Sequence, residues 1–125
     1  NHFGAMTATS VTLDANESGV DFTQSSTSTF GTGAQTTLSN GRRALWSGNV
    51  LLDATLRYVG AQNDRDPILS AIGGSTPTTT IAGYRVEDVN LDGLVRYVGA
   101  NNDRDPVLQN IGGSVPTATR TQQLP

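Results

Sequence analysis

The residues with the most chemical capacity in this chain lie between Asp88 and Asp105. Asp88, Asn90 and Asp92 alternate along the sequence, and Gly93 follows directly. Alternate oxygen-bearing side chains turned inward by a sharp bend suit a hard cation such as Ca2+, which takes about six to eight oxygens. The backbone carbonyl of Leu94 supplies the next oxygen in that pattern. A loop of this kind ends on a carboxylate at about its twelfth position, but Gly99 stands there and has no side chain to offer. The next acids are Asp103 and Asp105, in NNDRDP. If VGAN is read as an insertion, Asp103 falls at the closing position and Asp105 caps the helix that follows. From sequence alone the two can exchange roles. The competing reading is an Asx-rich turn without metal, with both acids capping a helix or pairing with Arg104 or Arg96.

The same segment occurs earlier in the chain. RYVGAQNDRDPILSAIGGSTP (57–77) aligns with RYVGANNDRDPVLQNIGGSVP (96–116) at an offset of 39, with 16 of 21 positions identical. The first copy is the poorer metal loop. Its counterparts are Asn49, Leu51, Asp53, Ala54 and the carbonyl of Thr55, followed by Asp64 and Asp66. Leu51 has no ligating side chain, and Ala54 lacks glycine's freedom to bend.

The elements that must hold these residues are short. LRYVG and LVRYVG read as strands leaving each loop. NDRDP reads as a helix start, with Asp66 or Asp105 at the N-cap and Pro67 or Pro106 in the first helical position. Ile68, Leu69, Ile72 and Val107, Leu108, Ile111 follow at helical spacing. Gly73-Gly74 and Gly112-Gly113 stop each helix after about two turns. Duplication at this length predicts two similar units packed about a pseudo-twofold axis, because neither has apolar residues enough for its own core. The expected fold is mixed α/β, small and irregular: a β-rich N-terminal segment and two pseudo-symmetric calcium loops, each with a short strand and a short helix.

Residues 1–40 differ in kind. They are rich in Ser and Thr and alternate at period two in Thr7, Thr9, Val11, Leu13 and in Val20, Phe22, which predicts extended strand. The predicted organisation is residues 1–40 as a Ser/Thr-rich β segment, 41–118 as the duplicated domain and 119–125 as a tail. Trp46 is expected in the core or an interface. Tyr58 and Tyr97 are expected in the core, and Arg57 and Arg96 on loop carboxylates. Asn16-Glu17-Ser18 matches an N-glycosylation sequon.

Composition narrows the function. Leu, Ile, Val and Phe make up 28 of 125 residues, close to the ~20% at which disorder sets in, so bound metal is a plausible further source of stability. There is no Cys, and the single His is His2. That leaves no disulfide framework and no multi-histidine site. All eight basic residues are Arg, and the net charge is −3, which argues against nucleic acid or an anionic membrane as partner. No apolar run approaches a membrane span of ~20 residues. No signal peptide opens the chain, so it is expected to be a processed protein or the end of a larger one. Without His, Cys or Lys in the repeats, catalysis has no base or nucleophile, and no enzyme is expected.

Residues 45–118 resemble the dockerin-type duplicated calcium repeat, with two EF-hand-like loops each followed by a helix. They are most similar to the interrupted-loop variant, with a YVGANNDRDP-like insertion, found near the C-termini of secreted surface proteins of Bacteroidetes. The resemblance implies Ca2+ at Asp88, Asn90, Asp92 and the carbonyl of Leu94, and a further site from Asn49, Asp53 and the carbonyl of Thr55. Cellulosomal dockerins have uninterrupted loops and longer helices that bind cohesin; this chain departs from both. The expected role is a non-catalytic, extracellular or cell-surface module stabilised by Ca2+. Its unpaired N-terminal strands are expected to add to a neighbouring copy, giving a homopolymeric fibre or adhesin subunit. The alternatives are a docking module for a cohesin-type receptor and a carbohydrate-binding module.

Overall fold

The computed structural model of the chain describes residues 1–12, 15 and 19–125. Eight elements follow in order: β1 (Gln35–Thr37), β2 (Arg43–Leu45), β3 (Thr55–Arg57), α1 (Arg65–Ala71), β4 (Thr80–Ala82), β5 (Leu94–Arg96), α2 (Arg104–Asn110) and β6 (Thr119–Thr121). The strands form three antiparallel pairs, β1–β2, β3–β6 and β4–β5. The fold is thus small and mixed α/β, with two short helices and short antiparallel strands. Among the described residues no helix is long and apolar enough to cross a membrane. The chain divides into two compact units. Asn1–His2 with Ser47–Thr121 make one, and Phe3–Trp46 with Gln122–Pro125 make the other.

The repeat-containing unit is built by exchange. The strand after each helix pairs with the strand of the other repeat. Thr80–Ala82 runs against Leu94–Arg96, and Thr119–Thr121 against Thr55–Arg57. Each helix likewise packs on the opposite repeat's strand, α1 on β5 and α2 on β3. The core consists of four residue pairs related by the offset of 39: Val50 and Val89, Leu56 and Val95, Ile68 and Val107, Ile72 and Ile111, all buried. Each half supplies four modest side chains, too few for a core of its own, and only their union is one. Gly48 marks the tightest approach. A Cβ there would meet Leu56 at 3.2 Å and the Val107 backbone at 3.3 Å, and its φ is +105°.

Two features of this unit differ from the sequence reading. Residues 119–121, read as tail, form β6, and 80–82 form its counterpart β4. The repeat extends five residues beyond the identical stretch, and it goes unnoticed because Ile81 in one copy is Arg120 in the other. The helices also begin earlier than expected. Asp64 and Asp103, not Asp66 and Asp105, hold the N-cap positions, and Pro67 and Pro106 stand third. The cause is the Asn before each. Asn63 Oδ1 accepts the Asp66 N–H at 2.9 Å, and its Nδ2 donates to Gly60 O at 2.7 Å and to Asp66 Oδ2 at 2.8 Å. Asn102 repeats all three bonds with Asp105 and Gly99. This relieves the cap aspartates of capping, and neither makes a side-chain cap bond. The helix ends are as expected. Gly74 N donates to Leu69 O and Gly73 N to Ser70 O, with both glycines at positive φ, which is a Schellman stop. Gly112 and Gly113 repeat it.

The other unit pairs sparsely. Phe3 N donates to Trp46 O, and a short ladder joins Met6 and Ala8 to Phe30 and Ser28. The β1–β2 hairpin turns at Asn40-Gly41, where Gly41 has φ +79°. Phe3 and Ala34 are buried, and half-buried Trp46 donates its Nε1–H to Gly33 O at 2.8 Å. The extended run predicted from Thr7 pairs at its start, with Thr7 opposite Thr29. Leu13 and the sequon at 16–18 lie outside the described residues.

Candidate metal centre

The second loop turns its polar groups inward. Asp88 is fully buried. Its Oδ1 accepts the Asp92 N–H at 3.1 Å and its Oδ2 the Gly93 N–H at 2.9 Å. Gly93 makes this bend at φ +84°, a conformation costly for any residue with a Cβ. Asn90 Oδ1 also accepts the Asp92 N–H, and its Nδ2 donates to Asn101 O at 2.8 Å, tying the loop to its insertion. Asp92 Oδ1 accepts the Leu94 N–H, and its Oδ2 accepts from the Arg96 guanidinium. Leu94 opens β5, opposite Ala82.

Asp103 closes the loop. It is fully buried. Its Oδ1 accepts the N–H groups of Val89 at 2.7 Å and Asn90 at 3.2 Å, and its Oδ2 that of Arg96 at 2.8 Å. Asp105 stands outside the loop, held by Asn102 and by Arg104 at 3.4 Å. Asp103, and not Asp105, is thus the acid that the loop's backbone N–H groups hold.

The first loop has the same outline with different contents. Asn49 takes the place of Asp88; its Oδ1 accepts the Asp53 N–H at 3.1 Å, and its Nδ2 donates to Asp53 O at 2.8 Å. Asp53 Oδ1 accepts the N–H of Thr55, which opens β3, and its Oδ2 pairs with Arg57 at 3.3 Å. Asp64, fully buried, accepts from Leu51 at 3.1 Å and Arg57 at 2.9 Å, as Asp103 does from its own loop. Asp66 lies outside, on Asn63 and Arg65. Leu51 makes no amide tie to the insertion, and the residue stays 41% exposed. The cleft between loop and helix is accordingly wider here: about 610 Å³, walled by Leu51, Asp53, Asn63 and Pro67, against about 270 Å³ beside Asn90.

Charge separates the two loops most clearly. Asp64, Asp88 and Asp103 are fully buried, yet among the described residues none has a cationic side chain within ion-pairing distance; five of the eight arginines are on Asp21, Asp53, Asp66, Asp92 and Asp105. Burial pushes the Asp103 carboxyl above its ordinary value despite three backbone N–H donors, and the nearby Asp88 charge pushes the same way. Asp64 is likewise raised, by burial first and by Asp53 last. Asp92 is held low, chiefly by Arg96. The second loop therefore carries three carboxylates, two of them buried, and one guanidinium, a net charge of minus two. The first encloses two carboxylates and one guanidinium.

The oxygens of the second loop fit a hard divalent cation. Each carboxylate oxygen has two lone pairs, and the backbone bonds leave one on each oxygen of Asp88 and one on Asp103 Oδ2. Asp88, Asn90, Asp92, the Leu94 carbonyl and Asp103 would hold it. Among the described residues, no three Asp, Glu, His or Cys side chains already converge as a metal-holding group. The loop is instead drawn in around its own N–H groups.

Sequence reasoning missed Asn63 and Asn102, although the N-x-x-D spacing ahead of each helix is the signature of reciprocal capping. It also left Tyr58 and Tyr97 in the core. They are half-buried, and the guanidiniums of Arg65 and Arg104 lie over their rings, each 5.2 Å from the centroid. Comparison of the chain with models of protein families, with curated proteins and with solved structures gave no match.

Proposed function

We propose that this chain is a non-catalytic module stabilised by Ca2+ in its second loop, of the dockerin-like kind its repeats resemble, and that it works outside the cell. The observation that carries the reading is the buried pair Asp88 and Asp103, which lacks any cationic partner among the described residues. Ionised carboxylates are rarely buried unless paired or bound to metal. A divalent ion offsets the loop's charge of minus two, and oxygen ligands of this hardness favour Ca2+ over softer metals. Millimolar calcium, as found outside cells, fills even a weak site. Calorimetric titration of the EDTA-stripped chain with CaCl2 is expected to show one equivalent bound, raising the melting temperature. The Asp88→Asn variant is expected to bind none. Heat effects and melting curves unmoved by calcium would sink the reading.

A second reading concerns the partner: a neighbouring copy, joined by strand addition in a surface fibre or adhesin. It is favoured by exposed apolar side chains in the sparsely paired unit, Met6, Phe30, Leu38 and Leu45 among them, and by its two-stranded sheet, which gains no third strand among the described residues and has only Arg43 N of its β2 edge taken by Thr23 O. Sedimentation velocity of the pure chain, in calcium and in EDTA, tests this. Large species that deletion of residues 3–46 abolishes support a fibre subunit. A monomer at every concentration supports docking to a cohesin-type receptor.

A further inference from the structure

We propose that Arg96 is a tethered counter-ion, holding the second loop together when metal is absent and competing with the metal for Asp92. This rests on the calcium reading of that loop and assigns a specific residue to the control of its affinity.

The geometry is two-handed. The Arg96 backbone N–H donates to Asp103 Oδ2, while its guanidinium takes Asp92 Oδ2 and lies 3.5 Å from Asn101 O. One residue thus touches the closing acid through the main chain and a middle acid through the side chain. Its guanidinium also spans from the loop to the insertion, as a bound cation would have to do. Its side chain is 24% exposed and that of Asp92 32%, so water is at hand to solvate both if they separate. Arg keeps its charge at every working pH, so the latch responds to metal and not to acidity.

Arg57 repeats this arrangement in the first loop, on Asp53 at 3.3 Å and near Gln62 O at 3.5 Å. There the surroundings differ. Asn49 replaces the buried acid and Leu51 replaces the ligating amide, so the loop keeps a net charge of only minus one and lacks two of the ligands a divalent ion would need. Arg57 is the permanent closure of its loop, and Arg96 the displaceable closure of the other. The duplication has split one ion pair into a fixed part and a working part.

Replacing either Arg with Met keeps the aliphatic stem and the backbone bond, so the guanidinium alone is tested. In the full chain, R96M is expected to melt lower than wild type in EDTA and level with it in saturating calcium. Its calcium Kd is expected to be tighter by roughly thirtyfold, the weight in water of a unit charge about 4 Å from a divalent one. R96K restores wild-type affinity in part. R57M melts lower by the same amount in both conditions and leaves the Kd unmoved. If R96M folds only in calcium, chelator competition supplies its Kd, and that outcome too supports the latch. An unchanged or weaker Kd in R96M, or failure to fold even in calcium, overturns the latch while the calcium reading stands. A wild-type chain that takes up no calcium overturns both.

Discussion

The two loops share a frame and differ in what fills it. Asp64 and Asp103 take equivalent backbone N–H groups, Asn63 and Asn102 cap equivalent helices, and Leu52 and Leu91 both adopt positive φ, at 56° and 60°. The divergence lies at three neighbouring positions. Asn49, Leu51 and Ala54 of the first loop stand where the second has Asp88, Asn90 and Gly93. An amide such as Asn49 both donates and accepts, so it closes a loop without adding charge. A carboxylate such as Asp88 only accepts, and a second one in the same enclosure asks for a cation. One loop is finished by the chain itself, and the other is left to be finished by an ion.

The strongest way to break this comparison is at the shared acid. Asp103→Asn puts an amide NH2 against backbone donors and leaves buried N–H groups unpaired, costing about 2–4 kcal/mol. Asp64→Asn is expected to cost as much. Urea denaturation in EDTA and in calcium separates them: D64N keeps the calcium-dependent gain in stability, and D103N loses it.

Next in size is the exchange of contents. Asn49→Asp buries a second carboxylate in the first loop and is expected to cost about 1–3 kcal/mol in EDTA. Adding Leu51→Asn and Ala54→Gly rebuilds the ligand set of the second loop, and calcium uptake by calorimetry is expected to double. Uptake that stays at the wild-type value shows that more than these three positions separates the loops.

A smaller effect attaches to the bend. Gly93→Ala places a Cβ at φ +84°, with an expected cost of about 1–2 kcal/mol and weaker calcium binding. Ala54→Gly alone changes little, since Ala54 is not at positive φ.

The smallest concerns pH. Asp64 and Asp103 have folded values raised from 3.8. The stability they lend is complete when both states are protonated and is lost as pH rises through the raised values. Asp21, Asp66 and Asp92 are lowered from 3.8, so their contribution fades only below that pH. Melting of the calcium-free chain is therefore expected to weaken slightly as pH climbs from about 4 through the raised values. With calcium bound, Asp103 is stabilised as the carboxylate and its share of that loss disappears, while the share of Asp64 remains.

Much of this was legible in the residues. The repeat was visible as near identity, the helix stops as paired glycines, and the loop as alternating oxygens ahead of Gly93. What escaped reading had physical causes. The choice between Asp103 and Asp105 turned on Asn102, whose side chain takes over the capping role by a hydrogen bond three residues ahead. The strands β4 and β6 went unseen because Ile81 and Arg120 at their centres share no pattern and the partner of β6 is remote. Strands held by main-chain bonds to a distant segment leave little trace in their own side chains.

The reciprocal strand pairing also bears on how the chain is made. Thr55 meets Thr121 across the β3–β6 ladder, so the first repeat is completed only by a segment translated after the whole of the second. A ribosome-bound chain that has exposed just the first repeat carries β3 with an open edge and Ile68 without its opposite number. Pairing so distant in sequence slows folding, because a long loop must close before any contact compensates. Maturation of the repeat-containing unit is therefore held back until synthesis has passed residue 121, and the unit folds as one event.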